Sequence, residues 1–249
     1  AFTVAEEIGL YGAKLLRPME VGRPAMAFNI DSGEPHRIIV GAIGANKWNA
    51  TVYGRSSHAG VRPEAGVSAI LIASRAIARV AERGYFGKIL KGRRKGTANA
   101  GVIHGGEATN QVTHLVEVRG ECRSHDSRFL AVITREWQRA FEEAARSVRN
   151  VEGHSGRVAF EVTSDYKAFR LPDRHPAVRF ICAAAQSIGL KPETCLMDGG
   201  LDANPLNAIG VPTVTFGAGQ HKPHSFEEYV DIPEFLDGCR LALEVATRP

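Results

Sequence analysis

The stretch Asn46-Lys47-Trp48-Asn49-Ala50-Thr51-Val52-Tyr53, followed after an interval by Val67-Ser68-Ala69-Ile70-Leu71-Ile72-Ala73-Ser74-Arg75-Ala76-Ile77-Ala78-Arg79-Val80-Ala81, decides how the chain is read. Trp48, Ala50, Val52 and Tyr53 begin a strand, and Ile70, Ala73, Ile77 and Val80 recur at helical spacing. Two more strands follow, Thr97 to His104 and Leu115 to Cys122, then a helix from about Phe129 to Val148 and a last strand, Val158 to Val162. The order is β-α-β-β-α-β. This is the ferredoxin-like split βαβ unit, with two helices on one face of a four-stranded antiparallel sheet.

Outward from this segment the pattern changes. The chain opens apolar and β-like as far as Val4, then carries Glu6-Glu7 and turns through Ile8-Gly9-Leu10-Tyr11-Gly12-Ala13. A strand ending in a functional loop is expected there. Ala25 to Ile30 and Arg37 to Ile43 read as strands, joined by the turn Asp31-Ser32-Gly33-Glu34-Pro35. On the far side come helices at Ala177 to Ile188 and Asp202 to Ala208, the strand Thr213 to Phe216, and a helix from Pro233 to Ala246. Residues 1–45 and 166–249 are therefore expected to be two parts of one α/β domain, interrupted by a domain over 46–165.

With 249 residues, 44% of them hydrophobic, a substantial core can be buried. No run approaches the roughly 18 apolar residues of a membrane span, and the start does not have the form of a signal peptide. A soluble, cytoplasmic protein without a membrane partner is the expectation. The four cysteines lie far apart without a C-x-x-C pair, which argues against a zinc ribbon or a disulfide framework and for buried free thiols. The net charge is +4, yet the dense basic cluster of Lys88, Lys91, Arg93, Arg94 and Lys95 has no interleaved aromatics. It reads as a solvated loop, and no nucleic-acid partner is expected.

Adjacent acids at a strand end point in different directions, so of Glu6 and Glu7 one can bind a metal while the other handles a proton. Paired glutamates are more often solvated helix residues, but the apolar frame Phe2-Thr3-Val4-Ala5 and Ile8-Gly9-Leu10 weighs against that. Asp31 caps a turn or binds a cation, and taken alone reads as a turn residue. His224 follows Gly217-Ala218-Gly219 after the strand Val211 to Phe216, where α/β folds put their sites. With nine histidines in the chain, any single one is more often structural.

Three longer stretches are more specific: Gly54-Arg55-Ser56-Ser57-His58-Ala59-Gly60 through Ile70, Gly105-Gly106-Glu107-Ala108-Thr109-Asn110-Gln111-Val112, and Gly199-Gly200-Leu201-Asp202-Ala203-Asn204. Together with the Glu6-Glu7 loop and His224-Ser225-Phe226-Glu227-Glu228, they resemble the dinuclear-zinc metallopeptidases that include tripeptidase T, carboxypeptidase G and aminoacylase. The tripeptidase T-like branch is the nearest likeness. The resemblance implies a catalytic domain interrupted by a lid that also dimerises, and hydrolysis of short peptides or N-acyl amino acids by a metal-activated water. Carried over position by position, Glu7 and His224 match ligands to one zinc, and Asp31 a ligand to the other. Glu6 matches the general base, which takes a proton from the metal-bridging water and passes it to the leaving amine. His58 resembles the lid histidine that crosses the dimer interface to polarise the substrate carbonyl, and Asn110 and Arg123 resemble lid residues that hold the substrate's polar end. Asp202 is expected to order the loop near the site and not to be a ligand.

The chain departs from the family in one respect. Relatives supply two further ligands from an N-terminal segment, a histidine in a His-x-Asp motif and an aspartate that bridges both metals, and neither is present. His125-Asp126 is the only similar text, and it lies in the inserted domain with the wrong spacing. Several strands and helices that would cover the catalytic sheet are absent too, so the two-zinc set implied by the resemblance is incomplete. Two readings follow: a zinc-dependent aminopeptidase whose N-terminal part lies elsewhere, or a truncated, catalytically impaired remnant acting as a dimeric scaffold.

Overall fold

In a computed structural model, which describes residues 1–248, the elements run α1 (Tyr11–Leu15), β1 (Ala27–Ile30), β2 (Arg37–Ala42), β3 (Gly44–Tyr53), α2 (Ala69–Glu82), β4 (Gly87–Lys91), β5 (Arg94–Gly105), β6 (Leu115–Ser124), α3 (Ser127–Ser147) and β7 (Arg157–Tyr166). They continue as β8 (Phe169–Arg170), α4 (Pro176–Ser187), β9 (Glu193–Met197), α5 (Ala203–Ala208), β10 (Thr213–Phe216), β11 (Gln220–His221), β12 (Tyr229–Val230) and α6 (Ile232–Thr247). The chain divides into two units, Gly44–Asp165 and the flanking parts, Ala1–Ile43 with the chain from Tyr166 onward.

The inner unit is a sheet in the order β4-β5-β6-β3-β7. Without β4 this is the split βαβ arrangement expected from the hydrophobic periods. The added strand corrects that order to β-α-β-β-β-α-β, and it also corrects the solvated-loop reading of Lys88 to Lys95. Those residues form an antiparallel hairpin in which Leu90 pairs with Lys95 and Lys91 with Arg94. Lysines on an edge strand block pairing with another chain. Two of the basic residues pack inward, Lys91 over Tyr85 and Arg94 over Phe129, each with its cationic group 4.9 Å from the ring centroid.

Ser68 accepts a hydrogen bond from Leu71 N–H to begin α2, and Asp126 accepts from Arg128 and Phe129 N–H to begin α3. Asp126 is thereby explained as a helix cap. Both helices turn their apolar stripes onto one core, where Trp48 lies with its ring centroid 4.6 Å from that of Trp137 and 5.4 Å from that of Phe160. Gly120 sits opposite Trp48 in the β3–β6 ladder, and a Cβ there would lie 2.2 Å from both Asn99 O and Trp48 Cζ2. Neither atom can move away, since one is ladder backbone and the other the centre of the core. Gly120→Ala is expected to destabilise this unit by about 3 kcal/mol. Both tryptophans of the chain lie here, so fluorescence-detected urea unfolding reads this unit directly.

In the outer unit β1 pairs parallel with β10, β10 antiparallel with β2, and β2 parallel with β9 and antiparallel with β8. The run Ile38-Ile39-Val40 is apolar throughout because both faces of β2 are covered. Ile38 and Val40 meet α4 and α6 through Ala177, Ile181 and Leu241, whereas Ile39 meets Leu201, Ala203 and Met197. The expected strand at the start of the chain is not there. The segment before α1 has no regular structure, with Phe2, Val4 and Ile8 exposed, because it has no neighbouring strand to pair with. Tyr229, Ile232, Phe235, Leu236 and Leu243 are exposed as well.

All four cysteines are free, but they do not share one environment: Cys122 is buried, Cys182 and Cys195 half-buried, and Cys239 exposed. Burial pushes the Cys122 thiol up to about 12. Among the described residues no helix is long and apolar enough to cross a membrane.

Candidate active site

The Glu6-Glu7 pair lies on a tight loop. Gly9 and Leu10 N–H donate to Glu6 O, Tyr11 N–H to Ala5 O and Gly12 N–H to Val4 O, and the loop enters and leaves through left-handed residues, Ala5 at φ 58° and Leu10 at φ 59°. Such backbone in non-glycine residues persists only where the surroundings over-determine it.

Asp31 follows the last residue of β1, and its N–H donates to Phe216 O at the end of β10. His224 lies between β11 and β12, on a turn where both it and Lys222 are left-handed, at φ 63° and 53°. Its Nε2 is 3.6 Å from Glu7 Oε2. The hairpin beneath is tied to α6 by His221, whose Nε2 lies 2.6 Å from Glu234 Oε2 and whose ring stacks on Tyr229. Glu228 braces the turn from inside: one carboxylate oxygen accepts from Gln220 Nε2 at 2.9 Å, the other from His224 N–H at 3.1 Å. Removing these two acceptors from a surface loop should leave the fold intact. Glu228→Ala is expected to speed amide exchange at His224 roughly tenfold, about 1 kcal/mol for one lost hydrogen bond, with little change in melting temperature, while Glu228→Gln retains most of the protection; hydrogen exchange and thermal unfolding measure the two.

The four acids of this region act on one another. Burial, reinforced by the charges of Asp31, Glu7 and Asp202, pushes the Glu6 carboxyl up to about 7, with His224 opposing. Burial likewise pushes Asp31 up to about 6, and the charges of Asp202 and Glu7 add to it, against an opposing hydrogen bond from Asn29. Asp202 is 5% exposed; one carboxylate oxygen accepts from the Thr3 hydroxyl, and the other is buried with no hydrogen-bond partner among the described residues. Its neighbour Asn204 is fully buried and fully used. Its carbonyl accepts from Leu201 N–H and its amide donates to Ile43 O and Lys167 O, which accounts for the asparagine of the Gly-Gly-Leu-Asp-Ala-Asn stretch.

Carboxylate oxygens and an imidazole nitrogen are donors of the right kind for a divalent cation, and the unpartnered oxygen of Asp202 adds to the local excess of negative charge. Their number falls short. Among the described residues no group of three His, Cys, Asp or Glu side chains is drawn together to hold a metal ion. The residues present do not by themselves complete a zinc site.

The inner unit carries the other candidates. His58 is exposed, and its Nδ1 accepts from Gly60 N–H at 3.2 Å. Its loop is zipped to that of Asn110: Ala59 N–H donates to Asn110 O and Val112 N–H to Ser57 O, and His58 bridges to Gln111. His58 and Asn110, 52 positions apart by number, thus share one edge. Arg123 lies on β6, and Glu121 already holds its guanidinium by two bonds of 2.8 and 3.0 Å. No role for Thr3, Glu228 or Glu234 was read from the sequence, and only the Glu227-Glu228 end of the last motif pointed near any of them.

Residues 40–149 match the family profile of the peptidase dimerisation domain of M20 enzymes. The chain carries an M20 peptidase dimerisation domain. With its flanking unit, this dimerisation domain is similar in structure to the aminopeptidase PepT of Bacillus cereus, with a TM-score of 0.83 and 34% identity over 98% of this chain and 62% of that one. A tripeptidase of Staphylococcus aureus is similar at a TM-score of 0.85 and 32% identity, over 98% of this chain and 61% of that one. The uncharacterized protein YqjE of Bacillus subtilis is 34% identical over 98% of this chain and 62% of its own length. The chain therefore spans about three-fifths of the length of these relatives, and the tripeptidase T-like resemblance runs through nearly all of it, on both sides of the dimerisation domain.

Proposed function

We propose that this chain forms the larger part of a cytoplasmic, metal-dependent exopeptidase that hydrolyses short peptides or N-acyl amino acids. The flanking unit acts as the catalytic domain. The inner unit acts as lid and as the contact of a homodimer. Glu7 and His224 hold one cation and Asp31 another, Glu6 carries the proton, His58 donates to the substrate carbonyl in the partner's site, and Asn110 and Arg123 receive the substrate's polar end. Arg123 takes that role only by exchanging its bonds to Glu121.

The observation that carries the reading is the concentration of negative charge where Glu6 and Asp31 are raised by burial and by the charges of Glu7 and Asp202, with His224 Nε2 3.6 Å from Glu7 Oε2. A divalent cation offsets such a cluster. A carboxyl near 7 both accepts and returns a proton at neutral pH, as general acid–base catalysis requires. The names of the relatives, aminopeptidase and tripeptidase, support a substrate with a free amino end. The exposed apolar surface of the flanking unit supports its being covered in the whole protein by the further length that the relatives have.

The test is a panel of tripeptides, dipeptides and N-acetyl amino acids offered to the protein at the full length of its relatives, with zinc and with chelator. Turnover of tripeptides that chelator abolishes and zinc restores is the expected result. Dimers without hydrolysis of any member of the panel would replace the enzyme with a scaffold.

A further inference from the structure

We propose that Asp202 is a positioning residue: through the Thr3 hydroxyl it fastens the loop bearing Glu6 and Glu7 to the first turn of α5. Asp202 stands at the N-cap position of α5, yet its side chain makes no hydrogen bond to that helix. A capping aspartate is worth about 1 kcal/mol to a helix, and here that contribution is forgone. The carboxylate is turned instead to Thr3, although the two residues are 199 positions apart. A local rule broken without local gain marks a residue used elsewhere.

The loop has need of such a tie. Its two left-handed residues, Ala5 and Leu10, cost on the order of 1–3 kcal/mol each. In the 249-residue chain the segment leading into it has no apolar burial to hold it, since Phe2 and Val4 are exposed. What fixes its height is Gly12, where a Cβ would come within 2.5 Å of Val4 N and 2.6 Å of Val4 O, so the backbone of Val4 lies flat on the start of α1. From that position the Thr3 side chain reaches Asp202.

Asparagine would accept the same hydroxyl at a lower cost of burial. What aspartate adds is a charge beside Glu6 and Asp31, which is unfavourable unless a cation lies among them. The tie is independent of metal; its consequence for Glu7 rests on the reading of Glu7 as a ligand.

The test uses amide hydrogen exchange of the 249-residue chain in chelator, read at Gly9, Leu10, Tyr11 and Gly12, whose N–H groups close the loop. Thr3→Val keeps the shape and removes the hydroxyl, and is expected to speed exchange at these amides at least tenfold with the dimerisation domain unchanged. Thr3→Ser and Asp202→Asn are expected to keep protection, and Asp202→Leu to lose it. Protection in Thr3→Val within twofold of the parent, or equal loss in Thr3→Ser and Thr3→Val, would overturn the proposal. Zinc affinity separates the two layers. A tenfold weakening in Thr3→Val at the full length of the relatives supports the tie acting on Glu7, whereas faster exchange with unchanged zinc affinity upholds the tie and removes its consequence for Glu7.

Discussion

Glu6→Gln is expected to lower the proposed peptidase turnover, measured at the full length of the relatives, by roughly 10²–10⁴-fold, the usual contribution of a positioned general base. The amide is close to isosteric, so the tight turn that begins at Glu6 O is retained. The Michaelis constant for tripeptides should change little, since the lost group acts on the proton and not on binding. Zinc affinity should fall only modestly, because Glu6 is not read as a ligand and only its charge is removed. A variant with parental turnover and a raised Michaelis constant would assign Glu6 to substrate binding. Steady-state kinetics on a tripeptide, with zinc content measured on the same preparation, decides it.

Trp137→Ala is expected to unfold the dimerisation domain at moderate temperature, at a cost of about 5 kcal/mol. The indole is fully buried, lies 4.6 Å from Trp48 and 5.7 Å from Phe86 by ring centroids, and donates from Nε1 to Tyr85 O at 3.1 Å. Truncation of a buried tryptophan costs about 3–5 kcal/mol in transfer and cavity terms. The lost aromatic pairing and the stranded carbonyl of Tyr85 add roughly 1–2 kcal/mol. Against a domain stability of about 5–15 kcal/mol that is a large fraction. The proposed homodimer should be lost with the domain. Urea unfolding followed by circular dichroism, with sedimentation of the same samples, gives both quantities, and Trp137→Phe should recover most of the loss.

The inserted domain was legible because its strands alternate and its helices carry apolar residues at 3.6-residue spacing. Ala73, Ile77 and Val80 mark the helix, although Ile70 proves exposed and Ile72 and Ala76 fill the buried face, and the Ser68 and Asp126 caps need no distant partner. β4 was not legible, since Gly87-Lys88-Ile89-Leu90-Lys91 is short and lysine-flanked, and an edge strand protected against pairing resembles a loop. Phe2-Thr3-Val4 erred in the other direction: β-like composition makes no strand where no neighbour offers a ladder. β9 was overlooked because a strand of five residues at Glu193–Met197 has too few positions for a period to show.

At the candidate site, the motifs pointed to residue types and their order and carried no distances. Nothing near Asp202 in the sequence indicates Thr3, and nothing near His224 shows that Glu228 takes its N–H. Such pairings arise when tertiary structure fixes backbone that local preference would leave in another conformation, as at Ala5, Leu10 and His224.

Zinc titration of the 249-residue chain and of its Glu7→Ala and His224→Ala variants tests most directly whether these residues are half of a two-metal centre. Weak, incomplete uptake that either substitution abolishes, rising to two ions per chain at the full length of the relatives, is the expected result. Tight uptake of two ions by the chain alone, or uptake that survives both substitutions, would contradict the account.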